Sequence, residues 1–111
     1  MKYINKSFTI EKVKAQSLAS KFGTPIYCYS YKKLKKNVNN FKKNFKSFSP
    51  LVCFAVKANG NVNLLKEIRK LEMGADVVSI GELMKAIKAG INPNKIVFSG
   101  VGKTTEEISY A

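Results

Sequence analysis

Two lysines in this sequence occupy positions where an amine could take part in chemistry, and the first is Lys57. It directly follows the apolar run LVCFAV at residues 51–56. An ordinary lysine has a pKa of about 10.4, so its amine is protonated at neutral pH and is not nucleophilic. Apolar surroundings disfavour the charged form, and lysines in such places form Schiff bases with aldehydes. Because most lysines at strand ends are solvent-exposed and inactive, position alone leaves both interpretations open.

The second lysine, Lys103, lies in the segment FSGVGKTT at residues 98–105. This segment is similar to the second half of a phosphate-binding loop, whose full pattern is G-x-x-x-x-G-K-[ST]. The pattern requires a glycine at position 97, which is Val97 in this chain. We therefore interpret the segment as a loop between a strand and a helix, with Thr104 as helix N-cap and Glu107 completing a capping box.

Amphipathic patterns predict the helices that position these lysines. The helix in FTIEKVKAQSLASKFG is expected to start at Thr9 as N-cap and to stop at Gly23. Further helices are predicted in YSYKKLKKNVNNFKKNFKSF, NVNLLKEIRKLEM and GELMKAIKAG. Asn61 is the expected N-cap of the third, and Ser79 with Glu82 forms an S-x-x-E capping box for the fourth.

Continuous apolar segments predict the strands TPIYCYS, LVCFAV, GADVVS and KIVFS, near residues 26, 52, 76 and 96. Strands that alternate with amphipathic helices indicate βα units on a parallel sheet. We expect residues 1–24 to form an amino-terminal segment with a lead-in helix. Residues 25–111 are expected to form the first βα units of an incomplete (β/α)8 barrel, since a complete one needs roughly 250 residues. Ala111 falls within a predicted helix, which favours a truncated chain over a small open sheet.

In parallel α/β folds, ligands meet the carboxyl ends of the strands. Lys57 follows the second predicted strand, and Lys103 lies in the loop after the fourth. These loops are the expected location of the site.

The chain carries a net charge of +13, which raises the alternative of a nucleic-acid-binding module. Residues 1–50 contain 12 lysines and one acid, Glu11, whereas residues 51–111 contain 8 basic and 6 acidic residues. Arg69 is the only arginine, although arginine is the usual reader of bases and phosphates. In the lysine-rich helix, apolar residues recur every three or four positions, at Tyr31, Leu34, Val38, Phe41, Phe45 and Phe48. We therefore expect a buried apolar face with solvated lysines around it and no nucleic-acid partner.

Other features argue against a metal site and against membrane association. The chain has no histidine, and its cysteines, Cys28 and Cys53, lie in separate apolar segments. We expect buried, reduced thiols and no bound metal. No apolar run approaches the roughly 18 residues that span a bilayer. The start, MKYINKSF, lacks the apolar region of a signal peptide, which indicates a cytoplasmic protein.

A longer stretch of the sequence, which includes both lysines, resembles a known enzyme family. The segment FAVKANGNVNLLKEIRKLEMGADVVSIGELMKAIKAGI, followed by NPNKIVFSGVGKTTEEI, resembles the start of a pyridoxal-phosphate-dependent amino-acid decarboxylase of the alanine-racemase-like barrel fold. Within that group the diaminopimelate decarboxylases are the most similar. The earlier segment FGTPIYCYS resembles the same family, so the likeness covers nearly the whole chain.

The resemblance implies roles for three residues. Lys57 would hold the cofactor, pyridoxal 5'-phosphate, as a Schiff base, and Asp76 and Glu82 would lie beside the cofactor. Two structural alternatives stay open. Asp76 would instead be satisfied by backbone N–H groups in the turn before a strand. Glu82 would instead serve only in the capping box with Ser79.

The resemblance also implies a reaction, the decarboxylation of meso-diaminopimelate to L-lysine in lysine biosynthesis. In that family the remaining site residues come later in sequence, partly across a dimer interface. We therefore expect a homodimer of the full-length protein and an inactive fragment. Another amino-acid decarboxylase or a racemase on the same barrel is the alternative. The sequence departs from the family pattern in two places. Ile80 stands where a glycine is expected, and Glu72 and Met73 stand where small residues are expected. We expect these bulkier residues to alter the rim of the site.

Overall fold

The computed structural model of this chain describes residues 2–111. Its elements are β1 (Lys2–Ile4), β2 (Ser7–Ile10), β3 (Val13–Lys14), α1 (Ala15–Phe22), α2 (Tyr31–Lys43), β4 (Cys53–Ala55), α3 (Val62–Lys70), β5 (Gly74–Val77), α4 (Ile80–Lys88), β6 (Ile96–Phe98) and α5 (Thr105–Tyr110). The chain divides into two compact units, residues 1–41 and residues 42–111. The predicted division after residue 24 stays a prediction. Among residues 2–111, no helix combines the length and apolar character needed to cross a membrane.

The first unit opens with a small antiparallel sheet in the order β1-β2-β3. The turn between β1 and β2 is made by Asn5 and Lys6, both with positive φ, which suits a two-residue hairpin. The predicted helix start at Thr9 is wrong, because Thr9 lies buried in β2 and its hydroxyl donates to the carbonyl of Lys2 at 2.9 Å. The residues with helical spacing before Ala15 pair in the antiparallel sheet instead, and the helix α1 begins at Ala15. The predicted stop at Gly23 is confirmed, with φ of 82°.

The segment TPIYCYS forms no strand in the structure. Tyr27 is 89% exposed and Tyr29 is 58% exposed, so alternate side chains face solvent. The prediction rested on β propensity, which stabilises a strand only where a neighbouring strand pairs with it. Residues 24–30 have no such pairing in the described chain.

The predicted lysine-rich helix is confirmed as α2, and an acid fixes its start. Glu11 Oε1 accepts hydrogen bonds from the backbone N–H of Lys32 and from the hydroxyl of Ser30, both at 2.9 Å. These two bonds, the backbone one first, lower the pKa of the Glu11 carboxyl. Ser30 Oγ in turn accepts from the backbone N–H of Lys33 at 3.1 Å. Glu11, the only acid among the first fifty residues, therefore stabilises the start of the most basic helix.

The predicted apolar face of this helix is buried only at its centre. Val38 is 8% exposed, whereas Phe41 is 53% and Phe48 is 78% exposed. The expectation that all these aromatic side chains belong to a core is wrong for the described chain. The spacing identifies the apolar side of the helix, but it does not specify how much of that side is covered.

The second unit contains a parallel sheet in the order β4-β5-β6. This confirms three of the four predicted parallel strands and the βα pattern of a partial barrel. The core lies between this sheet and the helices α3 and α4. Its buried members are Val56, Leu65, Ala75, Val77, Leu83, Ala86, Ala89 and Ile91.

The helix ends of this unit follow the predicted local signals. The side chains of Asn61, Ser79 and Thr104 accept backbone N–H groups at the starts of α3, α4 and α5. The predicted end of α4 is confirmed at Gly90, whose φ is 80°. At the end of α3, Lys42 Nζ donates to the carbonyl oxygen of Leu71 at 2.6 Å, which satisfies a terminal acceptor with a cation.

Candidate active site at the carboxyl ends of the parallel strands

One face of the parallel sheet is covered by helices, and the other carries the candidate residues. Ala75 and Val77 of β5 are fully buried in the core on the helix side. Side chains alternate along a strand, so Asp76 points to the opposite side, which we call the inner face. Asp76 pairs with Ala55 of β4 and with Val97 of β6, which places these residues on the inner face too. Val97 is 46% exposed, so this face is open in the described chain.

Lys57 lies at the carboxyl end of β4, as the sequence predicts. The strand ends at Ala55, and Lys57 is the middle residue of a short 3-10 helix at Val56–Ala58. Val56 is 1% exposed and belongs to the core, whereas Lys57 is exposed. The Lys57 amine makes no hydrogen bond or ion pair with the residues that the structure describes. Its position is confirmed, but the expected apolar surroundings are not supplied by residues 2–111.

Asp76 is the third residue of β5 and is half-buried. Its Oδ1 accepts a hydrogen bond of 2.6 Å from the hydroxyl of Ser99. The alternative of a carboxylate held by backbone N–H groups before a strand is therefore wrong, because Asp76 lies within the strand. The nearby thiol of Cys53, the inner-face neighbour of Gly74, has a raised pKa, first from burial and then from the negative charge of Asp76.

Both cysteines are free thiols, and both are half-buried rather than fully buried. The expectation of complete burial is therefore wrong, and that of reduced thiols stays a prediction. Within the part of the chain that the structure describes, no group of three or more cysteine, aspartate or glutamate side chains is arranged to hold a metal ion.

Glu82 lies near the site, but its carboxylate accepts a hydrogen bond from a backbone N–H group. The hydroxyl of Ser79 accepts from the backbone N–H of Glu82 at 3.3 Å, which confirms one half of the predicted capping box. The return bond comes from Val78 rather than Ser79, because Glu82 Oε2 accepts from the Val78 N–H at 3.0 Å. Glu82 thus fixes the loop that leaves β5.

Glu107 has a second role, beyond its capping box, that the sequence does not indicate. The predicted capping box with Thr104 is confirmed, with bonds of 3.1 and 3.2 Å. In addition, Glu107 Oε1 accepts from the backbone N–H of Ile80 at 3.1 Å. One carboxylate therefore connects the loop after β5 to the loop after β6. This contact spans 27 residues of sequence, and no local pattern indicates it.

Lys103 is engaged within its own loop. Its Nζ donates to the carbonyl oxygen of Gly100 at 2.7 Å and lies 5.2 Å from the centre of the Phe98 ring. The charge of this lysine is therefore satisfied by a carbonyl and an aromatic face. This supports the interpretation of FSGVGKTT as a loop between β6 and α5 rather than a phosphate-binding loop.

The family departures lie at two different ends of the sheet. Ile80 is at the rim, and its N–H is the group bound by Glu107. Glu72 and Met73 come directly before β5, at the end of the strand opposite the candidate site. The expectation that they alter the rim is therefore wrong. Glu72 adopts a left-handed conformation with φ of 56°, which glycine adopts without a steric penalty.

Replacing Glu107 with alanine is expected to lower the free energy of unfolding of the complete protein by about 1–2 kcal/mol. The change removes the Glu107 carboxylate, which accepts the backbone N–H of Thr104 in the capping box and the backbone N–H of Ile80. Hydrogen exchange at the Ile80 amide should accelerate, because that N–H loses its acceptor. Glu106→Ala is the matched control: it removes an adjacent acid of the same helix turn but leaves the Ile80 bond intact. Equal rates of hydrogen exchange at the Ile80 amide in both variants would contradict the hydrogen bond between Glu107 and Ile80.

Comparison with known proteins places this chain in a family. Residues 31–111 match the model described as "Pyridoxal-dependent decarboxylase, pyridoxal binding domain". A diaminopimelate decarboxylase of Helicobacter pylori is 51% identical over 88 residues, which are 79% of this chain and 22% of that protein.

Two solved structures are similar in fold as well as sequence. The crystal structure of AQ1208 from Aquifex aeolicus matches with a TM-score of 0.92 and 45% identity over 98% of this chain and 27% of that chain. A diaminopimelate decarboxylase from Helicobacter pylori, complexed with L-lysine, matches with a TM-score of 0.81 and 47% identity over 86% of this chain and 24% of that chain. The chain therefore spans about a quarter of the length of the relatives it matches, and its fold is that of the amino-terminal part of their barrel.

Proposed function

The chain belongs to the pyridoxal-dependent decarboxylase family, and we propose that the complete protein decarboxylates meso-diaminopimelate to L-lysine. The observation that carries this proposal is the exposed amine of Lys57, which has no hydrogen-bond or ion-pair partner among residues 2–111. It lies at the carboxyl end of β4, inside the segment matched by the pyridoxal-binding domain. The identities of 44–51% to diaminopimelate decarboxylases favour this substrate over those of the other decarboxylases and racemases on the same barrel.

The residues present fit pyridoxal 5'-phosphate. Its aldehyde condenses with a primary amine that it can reach, and the Lys57 side chain is exposed and makes no ion pair within residues 2–111. The open inner face of the sheet also carries the carboxylate of Asp76. When bound, this cofactor supplies an electron sink for the pair left behind as the substrate loses its carboxylate.

We assign three tasks to the residues of this chain. Lys57 Nζ would hold the cofactor covalently, and its amine, when free, would exchange protons at the site. Asp76 places a negative charge on the inner face and favours a cationic nitrogen there. Glu82 borders the cofactor and fixes the Val78 backbone, so the rim loop keeps its shape when ligands enter.

The partners and setting of the complete protein are part of the proposal. The substrate is a small amino acid, in keeping with the L-lysine complex of the Helicobacter pylori relative. We propose a homodimer, which the resemblance to this decarboxylase family implies. We also propose a cytoplasmic location, since the substrate and product are metabolites of amino-acid biosynthesis.

The complete protein is expected to release carbon dioxide and L-lysine from meso-diaminopimelate when supplied with pyridoxal phosphate, whereas the 111-residue chain is expected to show no turnover. The reason is that Lys57 is exposed here and residues 2–111 leave the inner face open, so substrate is neither enclosed nor oriented. Lysine formation measured by chromatography distinguishes the two. Turnover by the short chain would contradict the second expectation. A complete protein that decarboxylates ornithine or arginine instead would overturn the assigned substrate.

A further inference from the structure

We propose that Ser99 is a positioning residue for Asp76, and that it fixes this carboxylate on the inner face without neutralising its charge. The inference rests on the proposed function and adds a residue to its site. Ser99 follows β6 directly, and its hydroxyl donates to Asp76 Oδ1 at 2.6 Å. Hydrogen bonds from a hydroxyl to an ionised carboxylate are typically this short and are stronger than neutral ones.

The backbone holds both partners in place. Asp76 lies within β5, paired with β4 on one side and β6 on the other. The backbone N–H of Ser99 donates to the carbonyl oxygen of Val77 at 2.9 Å, so the ladder between β5 and β6 continues one residue past the end of β6. The two side chains therefore extend from a hydrogen-bonded framework, and both are half-buried. A side-chain bond between two fixed backbones costs little further ordering entropy.

Asp76 is bonded to a neutral serine in a chain that is rich in basic residues. The chain has 20 basic residues, yet within residues 2–111 the one ion pair joins Lys70 to Glu67. No lysine or arginine of the described chain neutralises Asp76. Among residues 2–111 its hydrogen-bond partner is a neutral hydroxyl, which occupies one oxygen and leaves the negative charge in place.

A fixed and uncompensated carboxylate favours a cation nearby. Lys57 follows β4 at the same end of the sheet, two residues after Ala55, the β4 partner of Asp76. In the proposed enzyme, the cation is a protonated nitrogen of the lysine-bound cofactor or of the substrate amine. Ser99 keeps Asp76 from rotating away from that nitrogen. Without Ser99, the carboxylate is free to turn about its side-chain bonds toward solvent.

The test uses the complete protein with bound pyridoxal phosphate and follows the visible absorption band of the lysine-bound cofactor as pH is varied. Asp76→Asn is expected to lower the midpoint of this titration by about one pH unit or more, because the cation loses its carboxylate. Ser99→Ala is expected to lower the midpoint by a smaller amount and to reduce kcat/KM roughly tenfold, the effect of one charged hydrogen bond. Ser99→Thr, which retains the hydroxyl, should restore both values.

A double variant separates positioning from a structural effect. If Ser99 acts through Asp76, Ser99→Ala causes no further shift in the Asp76→Asn background. An unchanged midpoint in Ser99→Ala, or an equal shift in both backgrounds, overturns the inference while leaving the proposed function intact. Absence of a lysine-bound band in the unmodified complete protein overturns the proposed function itself, and the inference with it.

Discussion

Replacing Lys57 with alanine in the complete protein is expected to abolish covalent attachment of pyridoxal phosphate and to lower decarboxylation by roughly a thousandfold or more. No other described residue combines a primary amine with a place at the carboxyl end of β4. The visible band of the lysine-bound cofactor should disappear. Borohydride reduction of the unmodified protein, followed by peptide mapping, should place the label on Lys57.

Lys103→Ala is the matched control for this change. Lys103 also lies in a loop at the rim, but its amine is bound to the carbonyl of Gly100 and lies near the ring of Phe98. Its removal is expected to leave the absorption band in place. A label on Lys103, or a band that survives Lys57→Ala, would show that the cofactor is attached to an amine other than that of Lys57.

The position of Lys57 was predictable because it depends on local information. The apolar run that precedes it gives β4 and the buried Val56, and the capping residue Asn61 marks the start of α3. Each of these signals spans only a few residues. The side chain that falls between a strand and its helix is therefore located without knowledge of the rest of the fold.

The contacts that complete the candidate site were not predictable in the same way. Ser99 meets Asp76 across 23 residues, and Glu107 meets Ile80 across 27. Both contacts require the register between β5 and β6, which no pattern within either strand specifies. A rule that every polar residue directly after a strand is a site candidate would have identified Ser99, since it follows the run that gives β6.

The amino-terminal unit shows where local patterns mislead. Residues 8–23 have a helical spacing, yet the first part pairs into the antiparallel sheet because the turn at Asn5 and Lys6 brings β1 beside β2. The segment TPIYCYS has strand-forming residues but no pairing strand in the described chain. In both cases the outcome depends on which backbone lies alongside, and that is tertiary information.

Gly74→Ala is expected to destabilise the complete protein by about 3 kcal/mol or more, although Gly74 begins β5, at the end of the strand opposite the candidate site. A Cβ at this position would overlap the backbone carbonyl oxygen of Lys95 and would lie 2.8 Å from Cys53 Sγ. The carbonyl cannot rotate away, because it belongs to the chain entering β6. Gly74 is also held by its own N–H, which donates to the carbonyl of Val52 at 2.9 Å. The clash can be relieved only by separating strands whose pairing carries Asp76 and Ser99.

Gly81→Ala tests whether this effect comes from the clash rather than from the loss of a glycine. Gly81 lies in α4, and its added Cβ would meet only Ser79 Oγ, at an ordinary distance of 3.9 Å. This variant should be neutral or more stable by up to about 1 kcal/mol, as alanine is favoured over glycine in helices. Thermal and denaturant unfolding of both variants measure the difference.

Because the strain in Gly74→Ala falls on the β5–β6 pairing, the cofactor band of this variant should also titrate at lower pH, as in Ser99→Ala. A Gly74→Ala protein as stable as the unmodified one would show that β5 and β6 do not approach each other as closely as this packing requires.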